Sequence, residues 1–226
     1  MKTLQALSVL LHYPSTELQQ SVGDIRQVLA NEELVAQESL GPLLRQLAED
    51  DLLTLQARYV DLFDRTPRLS LYLFEHVHGD SRDRGQAMVD LLQLYQKHGL
   101  EIDTSELPDY LPLFLEFLAT LPLPEARSLL GETAHILAAL QQRLEERESH
   151  YAAVISALLT LSQAEVSPEA VSALRELPDA APEMLDQQWE EAPVTFGPEC
   201  HQVSLAEQPI VIDRHRLNKP TIKGAS

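Results

Sequence analysis

Residues Tyr110–Pro122 read YLPLFLEFLATLP. Leu111, Phe114, Leu115 and Leu118 recur at three- and four-residue spacing and fall on one side of a helix, while Leu113 and Phe117 carry the apolar surface round the cylinder. A helix apolar on most of its sides has to be enclosed by others, so this segment predicts a central helix within an all-α fold. Composition agrees. Leucine dominates a hydrophobic fraction of 44%, and the sparse β-branched residues favour helix over sheet.

Toward the N-terminus, Leu52, Leu55, Tyr59, Leu62 and Phe63 share one face of an amphipathic helix over 51–63, with Asp50 or Asp51 as its N-cap and Pro67 as its stop. Leu4, Leu7 and Leu11 predict a first short helix ended by Tyr13-Pro14, because a residue before proline avoids α geometry. A second helix starts at Ser15. Past the run LSLYLF comes LFEHVHGDSRDRGQAM, residues 73–88. In it Gly79 can end one helix and Asp80 or Ser81 can cap the next. That helix carries Met88, Leu91, Leu92 and Tyr95 on one face and stops at Lys97-His98-Gly99. The polar stretch EIDTSELPD then leads into the central helix.

Beyond it, Leu130, Ala134, Leu137, Gln141 and Leu144 predict one long helix over Glu125–Glu148, and a further one covers Tyr151–Leu161. From residue 163 the periodicity fades into proline-rich sequence with 5 basic and 11 acidic side chains. The reading is a helical domain over 1–162 and a weakly structured acidic C-terminal tail over 163–226, in which short helices near Pro168–Leu177 and Pro182–Trp189 have support and Trp189 is a candidate to dock on the body.

The formal charge of −18 would repel phosphate backbones and anionic lipid, which argues against a nucleic-acid partner, and the same field attracts basic segments of other proteins. No apolar run reaches the ~18 residues of a membrane span. KTLQALSVLLHYP lacks the pattern of a cleavable signal peptide, and one cysteine, Cys200, permits neither an internal disulfide nor a multi-cysteine metal cluster. The expected location is the cytoplasm.

No Walker A loop, GxGxxG or GxSxG elbow is present, and Cys200 has no activating context, so no catalytic residue is assigned. His76 and His78, with Glu75, Asp80 and Asp83 nearby, are residue types that bind zinc or iron. Residues two apart on a helix point about 200° away from each other, however, and the HExxH spacing is absent. The expectation is no metal and no cofactor, with a metal-dependent enzyme using the His76/His78 region as the rival reading. The plain structural account is a capped turn whose carboxylates at 80 and 83 gain ~0.3–1 kcal/mol each from a helix N-terminus. ELPDYLP, Glu106–Pro112, is likewise a helix start. Its carboxylates beside apolar side chains also supply what a basic amphipathic peptide needs.

The run ARYVDLFDRTPRLSLYLFEHVHGDSRDRGQAMVDLL, residues 57–92, followed by ELPDYLPLFLEFLATLP, closely resembles the NarJ chaperones of respiratory nitrate reductase, within the wider TorD/DmsD redox-enzyme maturation group. The resemblance runs over about residues 1–162 and is densest over 57–121. It implies a single-domain helical bundle of the TorD-like type, cytoplasmic and non-catalytic. The implied partner is the apo catalytic subunit of a nitrate reductase, recognised by its basic N-terminal leader and kept from membrane docking until the molybdenum cofactor is inserted. The wider group carries a Glu-Pro-x-Asp-His type motif at its peptide site. Here the stretch reads Glu106-Leu107-Pro108-Asp109-Tyr110, and a phenol in place of the histidine cannot titrate near neutral pH as imidazole does.

On this basis the expected peptide groove lies between the 51–63 helix, the 69–85 segment and the start of the 109–120 helix. Tyr59, Phe63, Leu73 and Phe74 would form its floor, and Asp83, Glu106 and Asp109 would take the basic side chains. His76 and His78 would line an adjustable loop hinged at Gly79 and Gly85. Glu75, Pro108 and Tyr110 complete the candidate set.

Overall fold

Ser15 accepts a hydrogen bond from the amide of Leu18 at 3.2 Å and so caps the second helix where the sequence places its start. In this computed structural model, which describes residues 1–78, 82–102 and 106–176, α1 (Lys2–Leu10), α2 (Thr16–Glu32) and α3 (Gln37–Glu49) pack in series, each against the next. Asp51 caps α4 (Leu52–Tyr59) by accepting from the Thr54 amide at 3.1 Å. The predicted helix over 51–63 is not α throughout: it passes into a π-turn at Val60–Asp64, closed by the Arg65 amide donating to Val60 O at 2.9 Å. Pro67 then opens a 3-10 turn, Pro67–Leu69.

After the single turn α5 (Glu75–His78), α6 (Arg82–Lys97) ends as the sequence predicts. Gly99 takes φ +76°, its amide donates to Gln96 O at 2.9 Å, and that of Leu100 donates to Tyr95 O at 3.0 Å. This paired arrangement needs the left-handed residue that glycine supplies. The central helix is α7 (Leu111–Thr120). Leu111, Leu115 and Leu118 are wholly buried, with Phe114 and Phe117 nearly so, whereas Leu113 is half-buried and Glu116 exposed. Each buried leucine contributes ~1.5–3 kcal/mol by leaving water. α1 lies against α7, where Ser8 donates its hydroxyl to Pro112 O at 2.9 Å and its small side chain allows the close approach.

The long helix expected over Glu125–Glu148 is two helices, α8 (Leu123–Glu132) and α9 (Ala134–Glu146). Thr133 between them has φ −93° and ψ −1°, outside the helical well, and its hydroxyl donates back to Leu130 O at 2.8 Å. That local bond competes with the helical ladder. α10 (Ala152–Ser162) completes the bundle core. The helical body then continues beyond residue 162: α11 (Pro168–Glu176) buries Val171 against Ala138 and Ala139 of α9. The chain divides into units Met1–Ala181 and Pro182–Ser226. The second unit, with the expected Pro182–Trp189 helix and Cys200, lies outside the described residues.

Among the described residues there is no strand, only an isolated antiparallel bridge between Tyr72 and Tyr110, so the all-α expectation holds. No described helix is long and apolar enough to cross a membrane.

Candidate functional site

The Tyr72–Tyr110 bridge brings two sequence-distant segments side by side. The amide of Leu73 donates to Asp109 O at 3.0 Å and that of Leu111 to Leu71 O at 2.8 Å. Asp109 adds a third link, because its Oδ2 accepts from the Phe74 amide at 3.0 Å. Its side chain is wholly buried, and Oδ1 has no hydrogen-bond partner among the described residues. Burial raises the Asp109 carboxyl above its ordinary value, against the lowering effect of the Phe74 amide and of Arg84. A carboxylate so placed holds two segments together and presents no face to solvent.

This junction forms one wall of a cleft of about 190 Å³ lined by Tyr13, Tyr59, Phe63, Asp64, Leu71, Tyr72, Glu106 and Tyr110. The π-turn delivers Phe63 and Asp64, and π-turns recur at functional positions because the extra residue re-aims side chains. Tyr59 packs at 4.8 Å from Phe63 and 5.5 Å, edge-on, from Tyr13. Tyr151, at the start of α10, backs the cluster 5.1 Å from Phe63. Tyr59 donates its hydroxyl to Leu11 O at 2.7 Å, and Tyr72 donates to the exposed Glu106 carboxylate at 2.8 Å. Burial raises the phenols of Tyr59, Tyr72 and Tyr110 above their ordinary value. All three therefore stay neutral across the physiological range, and the cleft offers aromatic faces with two carboxylates at its rim.

A broader depression of about 540 Å³ lies on the α1–α7 face, with Val9, Leu100, Ile102, Leu113 and Phe117 on its floor and Glu101 and Glu116 at its edge. His12 touches one lining residue of each. Its ring is edge-on to Tyr110 at 6.2 Å, and its Nε2 lies 4.0 Å from Glu116.

Of the candidates read from the sequence, Tyr59, Phe63, Glu106 and Tyr110 line the cleft. Leu73, Pro108 and Asp109 are buried behind it and Phe74 is half-buried. Pro108 lends its carbonyl to the Tyr95 hydroxyl at 2.7 Å. Glu75 pairs with Arg84 at 3.1 Å. Asp83 is exposed in the first turn of α6 and is not among the lining residues. Gly85 sits inside α6 in ordinary helical backbone. Gly79 and the His78 side chain lie outside the described residues. His76 is buried, with its Nε2 2.8 Å from Ser70 O, so that nitrogen is occupied as a donor to a carbonyl. Among the described residues no group of three or more metal-ligating side chains converges.

Tyr13, Asp64 and Tyr72 were not candidates from the sequence. Tyr13 read only as a helix end. Asp64 and Tyr72 carried a signal in their proximity to Phe63 and in the alternation LSLYLF.

Fold and site together define an all-helical protein built around an acid-rimmed aromatic cleft where a central helix begins. Residues 15–157 match the family described as the nitrate reductase delta subunit, and the chain belongs to that family. It is 46% identical to the nitrate reductase molybdenum cofactor assembly chaperone NarJ of Escherichia coli K12 over 201 residues, 87% of this chain and 85% of the relative. It is 41% identical over 198 residues to the probable assembly chaperone NarW of the same strain, covering 87% and 84%. Against the probable NarJ of Bacillus subtilis strain 168 the identity is 32% over 160 residues, 70% and 86%. The family is one of assembly chaperones and not of catalytic enzymes, so the metal-dependent enzyme reading is set aside.

Proposed function

We propose that this chain holds the apo catalytic subunit of a respiratory nitrate reductase by its basic N-terminal leader, in the cytoplasm, and keeps it competent for molybdenum cofactor insertion before membrane docking. The single observation that carries the leader-binding reading is the aromatic cleft with Asp64 and Glu106 among its lining residues. An amphipathic helix needs an apolar slot for its anchor and charge-assisted hydrogen bonds for its Lys or Arg side chains. The cleft has room for an anchor side chain, and the apolar depression on the α1–α7 face gives the rest of the helix a bed. The net charge of −18 favours encounter with a cationic leader.

Calorimetric titration with a synthetic leader peptide tests this. Binding that weakens as salt is raised, and that falls severalfold in the pair Asp64→Asn and Glu106→Gln, supports the reading. Absence of any binding heat at low salt overturns it.

A further inference from the structure

Arg143 is buried on α9, at the i+7 place of the stripe that Ile136, Ala139 and Leu140 begin. Its guanidinium reaches two carbonyls on opposite sides. Nη1 donates to Arg68 O at 2.9 Å, in the 3-10 turn that leads into the cleft wall, and Nη2 donates to Leu174 O at 2.8 Å, in α11. Nη1 also lies 3.5 Å from Nδ1 of the buried His76, whose other nitrogen engages Ser70 O. Arg68, Ser70 and His76 bracket Leu71 and Tyr72, two of the residues that line the cleft. The planar fork of arginine holds two acceptors in fixed relation, which a lysine cannot reproduce.

We infer that Arg143 is a positioning residue for the aromatic cleft and that α11, docked through Val171 and Leu174, acts as a strap that fixes segment 67–76 in its binding geometry. In its ligand-binding consequence this rests on the leader-binding reading above; in its conformational consequence it does not. Among the described residues, no side chain of α11 lines the cleft. The guanidinium joins the two segments by bonding the Leu174 carbonyl on one and the Arg68 carbonyl on the other.

The experiment uses the full chain and three variants: Val171→Asp, which detaches α11 while leaving Arg143 in place, Arg143→Met, and Arg143→Lys. Two readouts are taken, leader-peptide affinity and backbone hydrogen exchange. The diagnostic amides are those of Leu73 and Leu111, which cross the junction, with the Ile25 amide of α2 as reference. Val171→Asp and Arg143→Met are each expected to weaken the peptide about tenfold and to speed exchange at Leu73 and Leu111 relative to Ile25, the scale of one lost hydrogen bond to a charged group. Arg143→Lys recovers part of both. If exchange at 170–174 shows α11 released in Val171→Asp while Leu73, Leu111 and the affinity are unchanged, the strap is overturned. If the wild-type chain binds no leader, the function proposed above falls and the exchange comparison still decides the strap. If Arg143→Met fails to fold, Val171→Asp carries the decision.

Discussion

The phenol oxygens of Tyr59 and Tyr110 lie 3.4 Å apart, joining the last residue of α4 to the residue that caps α7. The pair ties the two helices that flank the cleft, and the Tyr59 hydroxyl makes the stronger bond of its own to Leu11 O at 2.7 Å.

Tyr59→Phe strands a buried carbonyl at Leu11, and its expected cost is about 1–2 kcal/mol in urea unfolding. Tyr110→Phe loses only the long contact to Tyr59 and keeps its ring packing, so its expected cost is about 0.5 kcal/mol or less. Equal losses in the two variants would show that the Leu11 bond is not what holds Tyr59.

Asp109 carries a pH signature. Its folded carboxyl is raised above the ordinary carboxylate value, chiefly by burial. The folded state therefore binds that proton more tightly than the unfolded chain, and the associated stability is full below the ordinary value and lost as pH rises through the raised one. Asp109→Asn keeps an acceptor for the Phe74 amide and removes the titration. Its stability relative to wild type is expected to increase as pH goes from the ordinary carboxylate range toward neutrality, as read by urea unfolding. A pH-independent difference contradicts this.

His76 has the opposite slope. Burial depresses its imidazole below the ordinary value, with the Ser70 carbonyl opposing. The stabilisation is present above the unfolded value and lost as pH falls through the depressed folded one. His76→Gln, which retains a donor for Ser70 O, is expected to flatten the loss of wild-type stability on mild acidification, measured as the denaturation midpoint between about pH 7.5 and pH 5.

Truncation after residue 165 removes α11, exposes Ala138 and Ala139 and strips Arg143 of Leu174 O. The expected destabilisation is on the order of 3 kcal/mol, visible as a lower thermal midpoint. No change would mean that α11 packs without consequence.

The sequence carried the fold through periodicity and punctuation. The apolar sides of α7, the caps Ser15 and Asp51, and the left-handed stop at Gly99 are local decisions, and each stands where pattern and capping chemistry put it. What escaped was decided between segments. The break at Thr133 depends on one hydroxyl competing for one carbonyl, inside a stripe whose spacing is unbroken. The short helix near Pro168–Leu177 is legible, but its docking on the body turns on Val171 and Leu174, apolar residues in polar sequence. In the site, aromatic and acidic residues were legible as types, but which carboxylates face outward was not. Asp109 and Glu106 are three residues apart and alike in chemistry, yet the bridge at Tyr72 draws the first fully inward and leaves the second exposed.

The π-turn at Val60–Asp64 makes the cleft depend on a count as well as on composition. A π-turn holds one residue more than the α-helical turn it replaces, here at the end of the helix that α4 begins. Deleting Val60, Asp61 or Leu62 would let that turn close as ordinary α, with better hydrogen bonds, while turning the side chains that follow by about 100°. Phe63 and Asp64 would swing away from Tyr59 and Tyr72, so the chain would gain a more regular backbone and lose the shape of its cleft. Among relatives, the number of residues between Tyr59 and Pro67 is the feature to read first.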